Sequence, residues 1–339
     1  MTLFVTGGAG FIGSEFIRQA IRTHRVVNFD KLTYAGNLDN LASVADNPGY
    51  SLVVGDVCDA PAVAAALPEN CDAVVHFAAE SHVDRSILSA DEFVRTNVLG
   101  TQVMLDVARH RKAGRFLHIS TDEVGGDMPP DGWFREEDRL RPNSPYAASK
   151  AAAEHFVRAA AHTFGTDVLV TRTSNNYGPY QFPEKLLPLA ISNAIEDRPI
   201  PVYGDGLQVR DWVHVADNCR ALLAVLERGR SGETYHIGGG HPLKNIDVLK
   251  LLLKILGKPE SLLTSVTDRL GHDRRYAVDF SKTTRELGWR PETPFEEGLR
   301  ATVDWYRDNS EWVRRCRSGE YRAYYESMYG EREAGARSL

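Results

Sequence analysis

Hydrophobic positions in the first 175 residues fall into short β-branched runs separated by longer stretches with helical spacing. Residues 3–6, 26–30, 51–54, 73–77, 115–120 and 168–173 read as strands. Several carry apolar side chains at consecutive positions, as a strand covered by helices on both faces must. Between them, 14–22, 60–67, 91–111 and 145–163 read as helices. Strand–helix alternation of this kind predicts an α/β fold built on a doubly wound parallel sheet.

The pattern changes after Asn175. Pro179, Pro183, Pro188, Pro199 and Pro201 punctuate a stretch with weaker strand signals, which predicts a smaller and looser region. A helix over 215–227, a strand over 234–237 and a helix over 245–256 follow. We expect a first domain over 1–175, with the chain crossing back to it near 210–240, and a second domain mainly over 176–330. Residues 331–339 are polar and are expected to fray. The chain shows no internal repeat and no low-complexity tract.

Composition narrows the function classes. Among 339 residues, 40 Lys and Arg against 46 Asp and Glu leave a net charge of −6. That balance lacks the basic footprint of a nonspecific nucleic-acid binder. The four cysteines (Cys58, Cys71, Cys219, Cys316) are scattered without a paired motif. Neither a disulfide framework nor a metal site is expected, and a reducing compartment fits. No apolar run approaches the ~18 residues of a membrane helix, and the chain opens directly on a strand rather than a signal peptide. A cytoplasmic protein without membrane partners is the expectation.

Gly7, Gly10 and Gly13 follow the first strand and open a helix. A pyrophosphate approaching a helix N-terminus needs bare backbone there, so this spacing, placed after a strand, points to a dinucleotide. Asp30 ends the second strand, where a carboxylate accepts from both ribose hydroxyls and repels a 2′-phosphate; NAD is therefore expected over NADP. Asp56, after the third strand, suits either the adenine edge or a helix cap.

Tyr146 and Lys150 stand four residues apart at the start of a helix, so both project from one face. A nearby ammonium stabilises phenolate, which would make the tyrosine a usable base. Thr121, Asp122 and Glu123 end the fifth strand at the carboxyl edge of the sheet, where open α/β folds bind ligands. Two adjacent carboxylates can divide the roles of acid and base if burial keeps one protonated. Elimination of water needs both roles; hydride transfer alone does not.

These residues carry a resemblance. The Gly7–Gly13 loop and Tyr146-x-x-x-Lys150 are similar to those of the extended short-chain dehydrogenase/reductases. The segments 30–37, 76–86, 120–124, 142–150, 174–186, 203–206, 210–212, 235–240 and 271–276 resemble, within them, the dTDP-glucose 4,6-dehydratases. The resemblance implies a Rossmann-type domain with a smaller C-terminal substrate domain, and a three-step reaction on bound NAD. Tyr146, with Lys150 and Thr121, would take the proton of the glucose 4-hydroxyl. Glu123 would remove the C5 proton, and Asp122 would protonate the departing C6 hydroxyl. By the same matching, Phe11, Ile12, Val57, Phe77, Ala78, Ala79, Thr96 and Asn176 join the glycines, Asp30, Asp56, Tyr146 and Lys150 on NAD. Ser81, Thr121, Asn175, Lys185, Leu186, Tyr203, Arg210, Asn245, Arg269, His272 and Tyr276 would hold the nucleotide-sugar. Arg210 and Arg269 present planar forks suited to a diphosphate.

Two departures stand out. Gly125 replaces a tyrosine usual in that family, which is expected to remove packing beside the carboxylates, and Leu270 replaces a proline. A homodimer through the helices 91–111 and 145–163 is also implied. Nucleotide-sugar epimerases share the Tyr–Lys pair but have no need of Asp122–Glu123. A catalytically dead sensor would have lost these groups altogether.

Overall fold

The computed structural model describes residues 1–317. Among these residues twelve strands form: β1 (Thr2–Thr6), β2 (Arg25–Asp30), β3 (Tyr50–Val54), β4 (Ala73–His76), β5 (Arg115–Thr121), β6 (Val168–Thr173), β7 (Asn175–Tyr177), β8 (Ile200–Tyr203), β9 (Val209–His214), β10 (Thr234–Ile237), β11 (Pro242–Lys244) and β12 (Leu263–Val266). Seven form one sheet in the order β10-β6-β5-β4-β1-β2-β3, and every pair in it is parallel. This is the doubly wound α/β architecture of the Rossmann type. Strand order reverses between β1 and β4, and a crevice opens there beyond the carboxyl ends.

Both faces of the sheet are covered. Phe16, Ile17, Leu222 and Val225 belong to the core on one side; Phe4, Phe29, Met104 and Val157 belong to the core on the other. That double burial explains why the strand sequences show apolar runs rather than alternation. A third core gathers Leu187, Ile191, Leu252, Leu299 and Trp312 beyond the sheet. Two small sheets, β11-β9-β7 and β12-β8, lie outside the large one.

Three elements differ from the sequence reading. The first helix is Phe11–Ala20 and starts at the glycine loop itself, with Gly10 as its N-cap. The helix expected over 91–111 is broken into Asp91–Phe93, a π-helical turn at Val94–Leu99, and Gly100–His110. Within that turn Asn97 holds the backbone of Glu80 at both its N–H (2.8 Å) and its carbonyl (2.9 Å), and donates to Ser149 Oγ at 2.8 Å. The stretch after Asn175 is not loose: Leu186–Ile195 is a helix with eight of its ten residues buried. A helix apolar all round has no amphipathic period to read. The fraying expected of 331–339 lies outside the described residues.

Candidate active site

One cavity of about 450 Å³ at the β1/β4 crevice is lined by every residue named above as a candidate. Its cofactor half rests on the glycine loop. Gly7 has φ +70°, and a Cβ on it would lie 2.7 Å from Ala78 N; a Cβ on Gly13 would lie 2.3 Å from Gly7 O. These two glycines therefore serve the turn and its contact with the β4 loop. Gly10 is different, since its Cβ would meet only Gly7 O at 3.3 Å, so its bareness keeps the cavity side open.

Asp30 is buried, taking Ala9 N–H on Oδ2 and Leu32 N–H on Oδ1, each at 2.8 Å. Burial raises its pKa, opposed by those two donors. Asp56 pairs with Lys31 at 2.9 Å and accepts from Cys58 N–H. Its carboxyl falls below the usual range because those partners together outweigh burial. It does not cap the next helix; Asp59 does, accepting from Ala62 N–H at 3.1 Å. Asn176 leaves Oδ1 buried and without a hydrogen bond. Bare backbone, an acidic residue ending β2 and an orphaned amide oxygen form a donor and acceptor set that fits NAD.

The reacting centre is built by β5 and the helix Pro145–Phe164. Thr121 caps a 3₁₀ turn over Asp122–Gly125, with Oγ1 accepting from Glu123 N–H at 3.3 Å and donating to Asp122 Oδ1 at 3.3 Å. Asp122 Oδ2 and Glu123 Oε2 are buried with no hydrogen-bond partner. Their surroundings separate them. Burial and then the adjacent Glu123 charge push Asp122 well above its ordinary pKa. Burial also raises Glu123, but Arg269, Arg210 and Lys185 oppose it. Asp122 is thus the proton holder and Glu123 the carboxyl that ionises more readily.

Ser144 caps the helix by accepting from Ala147 N–H, and Pro145 occupies its first position. Tyr146 and Lys150 are both buried on this helix. The ammonium of Lys150 donates to Ile119 O at 2.6 Å, and burial brings its pKa down to about 8. Tyr146 is pushed up by burial and then by the charge of Glu123. The expected lowering of the phenol by a nearby ammonium is outweighed here: in this dry, acidic corner the protein's own groups favour neutral phenol.

The far half collects the basic groups. Arg210 is buried over the Tyr276 ring at 4.3 Å and donates to Val209 O and Asp273 O. Lys185 donates to Ser81 O at 2.7 Å. His272 donates Nδ1–H to Asp268 Oδ1 at 2.6 Å, and burial with Arg269 and Arg210 brings its pKa down to about 4, hence neutral. Asn245 Oδ1 and Arg269 Nε remain buried without hydrogen bonds.

Gly125 corrects another expectation. A Cβ there would meet the Phe134 ring at 2.8 Å, and Phe134 packs with Val124, Ala151 and Val278. The space beside the carboxylates is filled rather than emptied. Sequence reasoning gave no role to His82, Asp84 or Glu184, which also line the cavity. The motif running from Glu80 to Ser86 was visible; the partners that give its charges meaning come from distant segments.

A family model described as GDP-mannose 4,6 dehydratase matches residues 4–302. The dTDP-glucose 4,6-dehydratase of Xanthomonas campestris pv. campestris (strain B100) is 52% identical, over 95% of this chain and 97% of its own. The dTDP-glucose 4,6-dehydratase 1 of Escherichia coli K12 is 49% identical, over 98% and 100% respectively. DesIV of Streptomyces venezuelae, a dTDP-glucose 4,6-dehydratase solved with NAD bound, superposes with a TM-score of 0.91 at 50% identity, covering 93% of this chain and all of that one. With this likeness running almost end to end over the cavity described, the chain belongs to the dTDP-glucose 4,6-dehydratases of the extended short-chain dehydrogenase/reductase family.

Proposed function

We propose that the chain converts dTDP-glucose to dTDP-4-keto-6-deoxyglucose and water with bound NAD. The observation that carries the reading is the buried Asp122–Glu123 pair, whose two carboxyls are held at different proton affinities, each with an unpartnered oxygen. The names of the similar proteins support the substrate.

NAD, when bound, supplies the hydride acceptor at C4 and the hydride donor at C6. Gly7, Gly10, Gly13, Asp30, Asp56 and Asn176 hold it. Tyr146 takes the proton of the 4-hydroxyl in its phenolate form, which the positive charge of bound NAD and the Lys150 ammonium on the same helix would favour against burial, while Thr121 orients that hydroxyl. The 4-ketone acidifies C5, and Glu123 removes the C5 proton. The C6–O bond then breaks, with the Asp122 proton leaving on the departing hydroxyl as water. Arg210, Arg269, Lys185 and Asn245 hold the diphosphate side of the substrate, and His272, neutral, stays a hydrogen-bonding group.

Residues 1–175, with the chain that crosses back near 210–240, serve as the cofactor domain, and 176–330 mainly as the sugar-nucleotide domain. We place the protein in the cytoplasm: all four cysteines are free, as a reducing compartment requires. No helix of the described residues is long and apolar enough to cross a membrane. The chain works as a homodimer. Val94, Leu99 and Phe156 lie on neighbouring helices that pack together, yet are 56%, 43% and 45% exposed, an apolar surface suited to a second copy.

The test is incubation of the NAD-loaded protein with dTDP-glucose and, separately, UDP-glucose, following the alkali-induced absorbance of the 4-keto product. Product from dTDP-glucose is expected. Activity confined to UDP-glucose would move the substrate, and a 4-epimer with no 4-keto sugar would replace the dehydratase reading by an epimerase.

A further inference from the structure

Asp84 lies in the first turn of the helix Val83–Leu88, which follows β4 of the large sheet, with its side chain 6% exposed. Tyr203 donates its hydroxyl to Asp84 Oδ2 at 2.8 Å. Arg269 brings Nη1 to 3.7 Å from Asp84 Oδ1. Tyr203 ends β8, and Arg269 lies in the segment after β12, so both belong to the opposite wall. One carboxylate thus reaches across the cavity and holds two groups.

The two contacts differ in kind. The Tyr203 bond is short and charge-assisted, which fixes the ring. The Arg269 contact is an ion pair without a hydrogen bond, and neither Asp84 Oδ1 nor Arg269 Nε has a hydrogen-bond partner. A guanidinium held this way has fewer rotamers to lose on binding and still keeps donors for an anion. The Asp84 charge is matched by Arg269, so it organises more than it repels an incoming diphosphate. Its place on the helix after β4 also ties the pose of the nucleotide to the part of the chain that forms the large sheet.

We infer that Asp84 is a positioning residue for the nucleotide: it fixes Tyr203 and Arg269 together in the arrangement that receives a pyrimidine nucleoside diphosphate. This rests on the proposed function for the identity of the ligand.

The experiment is calorimetric titration of dTDP into the NAD-loaded protein, with steady-state kinetics on dTDP-glucose, for wild type, Asp84→Asn, Arg269→Lys and the double variant. Asp84→Asn keeps the shape and removes the charge. It is expected to weaken dTDP binding and raise KM by about tenfold, with kcat within about twofold, as loss of one charge-assisted contact does. Arg269→Lys in the Asp84→Asn background is expected to add less than it does alone. Tyr203→Phe, which leaves the carboxylate in place, should weaken dTDP by about threefold, a neutral-strength loss. Unchanged or tighter dTDP binding by Asp84→Asn, or additive losses in the double variant, would overturn the inference. A wild-type protein that binds dTDP but makes no 4-keto sugar would sink the reaction and leave the Asp84 result standing.

Discussion

Lys150 aims its ammonium at the carbonyl of Ile119, 2.6 Å away, one helical turn beyond the phenol of Tyr146. A buried cation facing a carbonyl rather than a carboxylate is poorly compensated, and its pKa falls from 10.5 to about 8. The fold therefore carries a penalty while the ammonium is charged. That penalty is full below about pH 8 and fades as the pH rises toward the value of an unfolded lysine.

Lys150→Met removes that charge. The shift corresponds to about 3 kcal/mol, less about 1 kcal/mol for the lost hydrogen bond to Ile119, so a gain of roughly 2 kcal/mol is expected at pH 7. At pH 10 the gain should vanish. Thermal unfolding of both proteins at the two pH values checks it; a gain over wild type no larger at pH 7 than at pH 10 contradicts it. Activity should fall in the same variant, a trade of stability against function.

The carboxylates can be separated by isotope. Glu123→Gln should still oxidise C4, seen as transient reduced nicotinamide absorbance, while solvent-derived hydrogen ceases to enter C5. Asp122→Asn should retain C5 exchange and lose water elimination. Each is expected to lower kcat by about a hundredfold or more, the scale of a lost general acid or base. Undiminished solvent label at C5 in Glu123→Gln would exclude that residue as the base.

The glycine loop makes a graded prediction. Gly13→Ala forces a Cβ to 2.3 Å from Gly7 O, whereas Gly10→Ala approaches nothing nearer than 3.3 Å. Gly13→Ala should lower the melting temperature and the bound NAD together. Gly10→Ala should keep the melting temperature of the NAD-free protein yet lose NAD. Measuring the cofactor content of each purified variant beside its melting curve distinguishes the two roles.

Gly125→Tyr should destabilise the chain. A side chain there runs into the Phe134 ring, and overpacking a filled core costs about 1–3 kcal/mol. Denaturant unfolding measures this, and Phe134→Ala in the same chain should restore part of the loss. Equal stability of Gly125→Tyr and wild type would show that the ring moves aside freely.

The strands of the large sheet were legible because consecutive apolar positions leave little else for them to be, and the observed ends of β2 and β6 lie within a residue of those expected. The π turn at Val94–Leu99 was not, since its cause is Asn97 reaching Glu80 and Ser149, contacts that no local period records. Leu186–Ile195 escaped for the opposite reason: burial on every side erased its stripe. In the site, residue types and spacing brought out Tyr146, Lys150, Asp122 and Glu123 as chemistry. The difference between the two carboxyls needed the positions of Arg269, Arg210 and Lys185, which arrive from far along the chain. Asp84 stayed silent until Tyr203 was seen to bond to it.

The last strand of the large sheet comes from residues 234–237, well past the first segment that lines the sugar pocket. It zips along β6, aligning His236 with Arg172, and Ser174 N–H donates to Ile237 O. A protein shortened to its first 175 residues would present β6 as a raw edge, open to pairing with any passing strand. Grafting a foreign sugar-recognition half onto this scaffold must therefore carry that returning ribbon along, or the nucleotide cradle itself would be left unfinished.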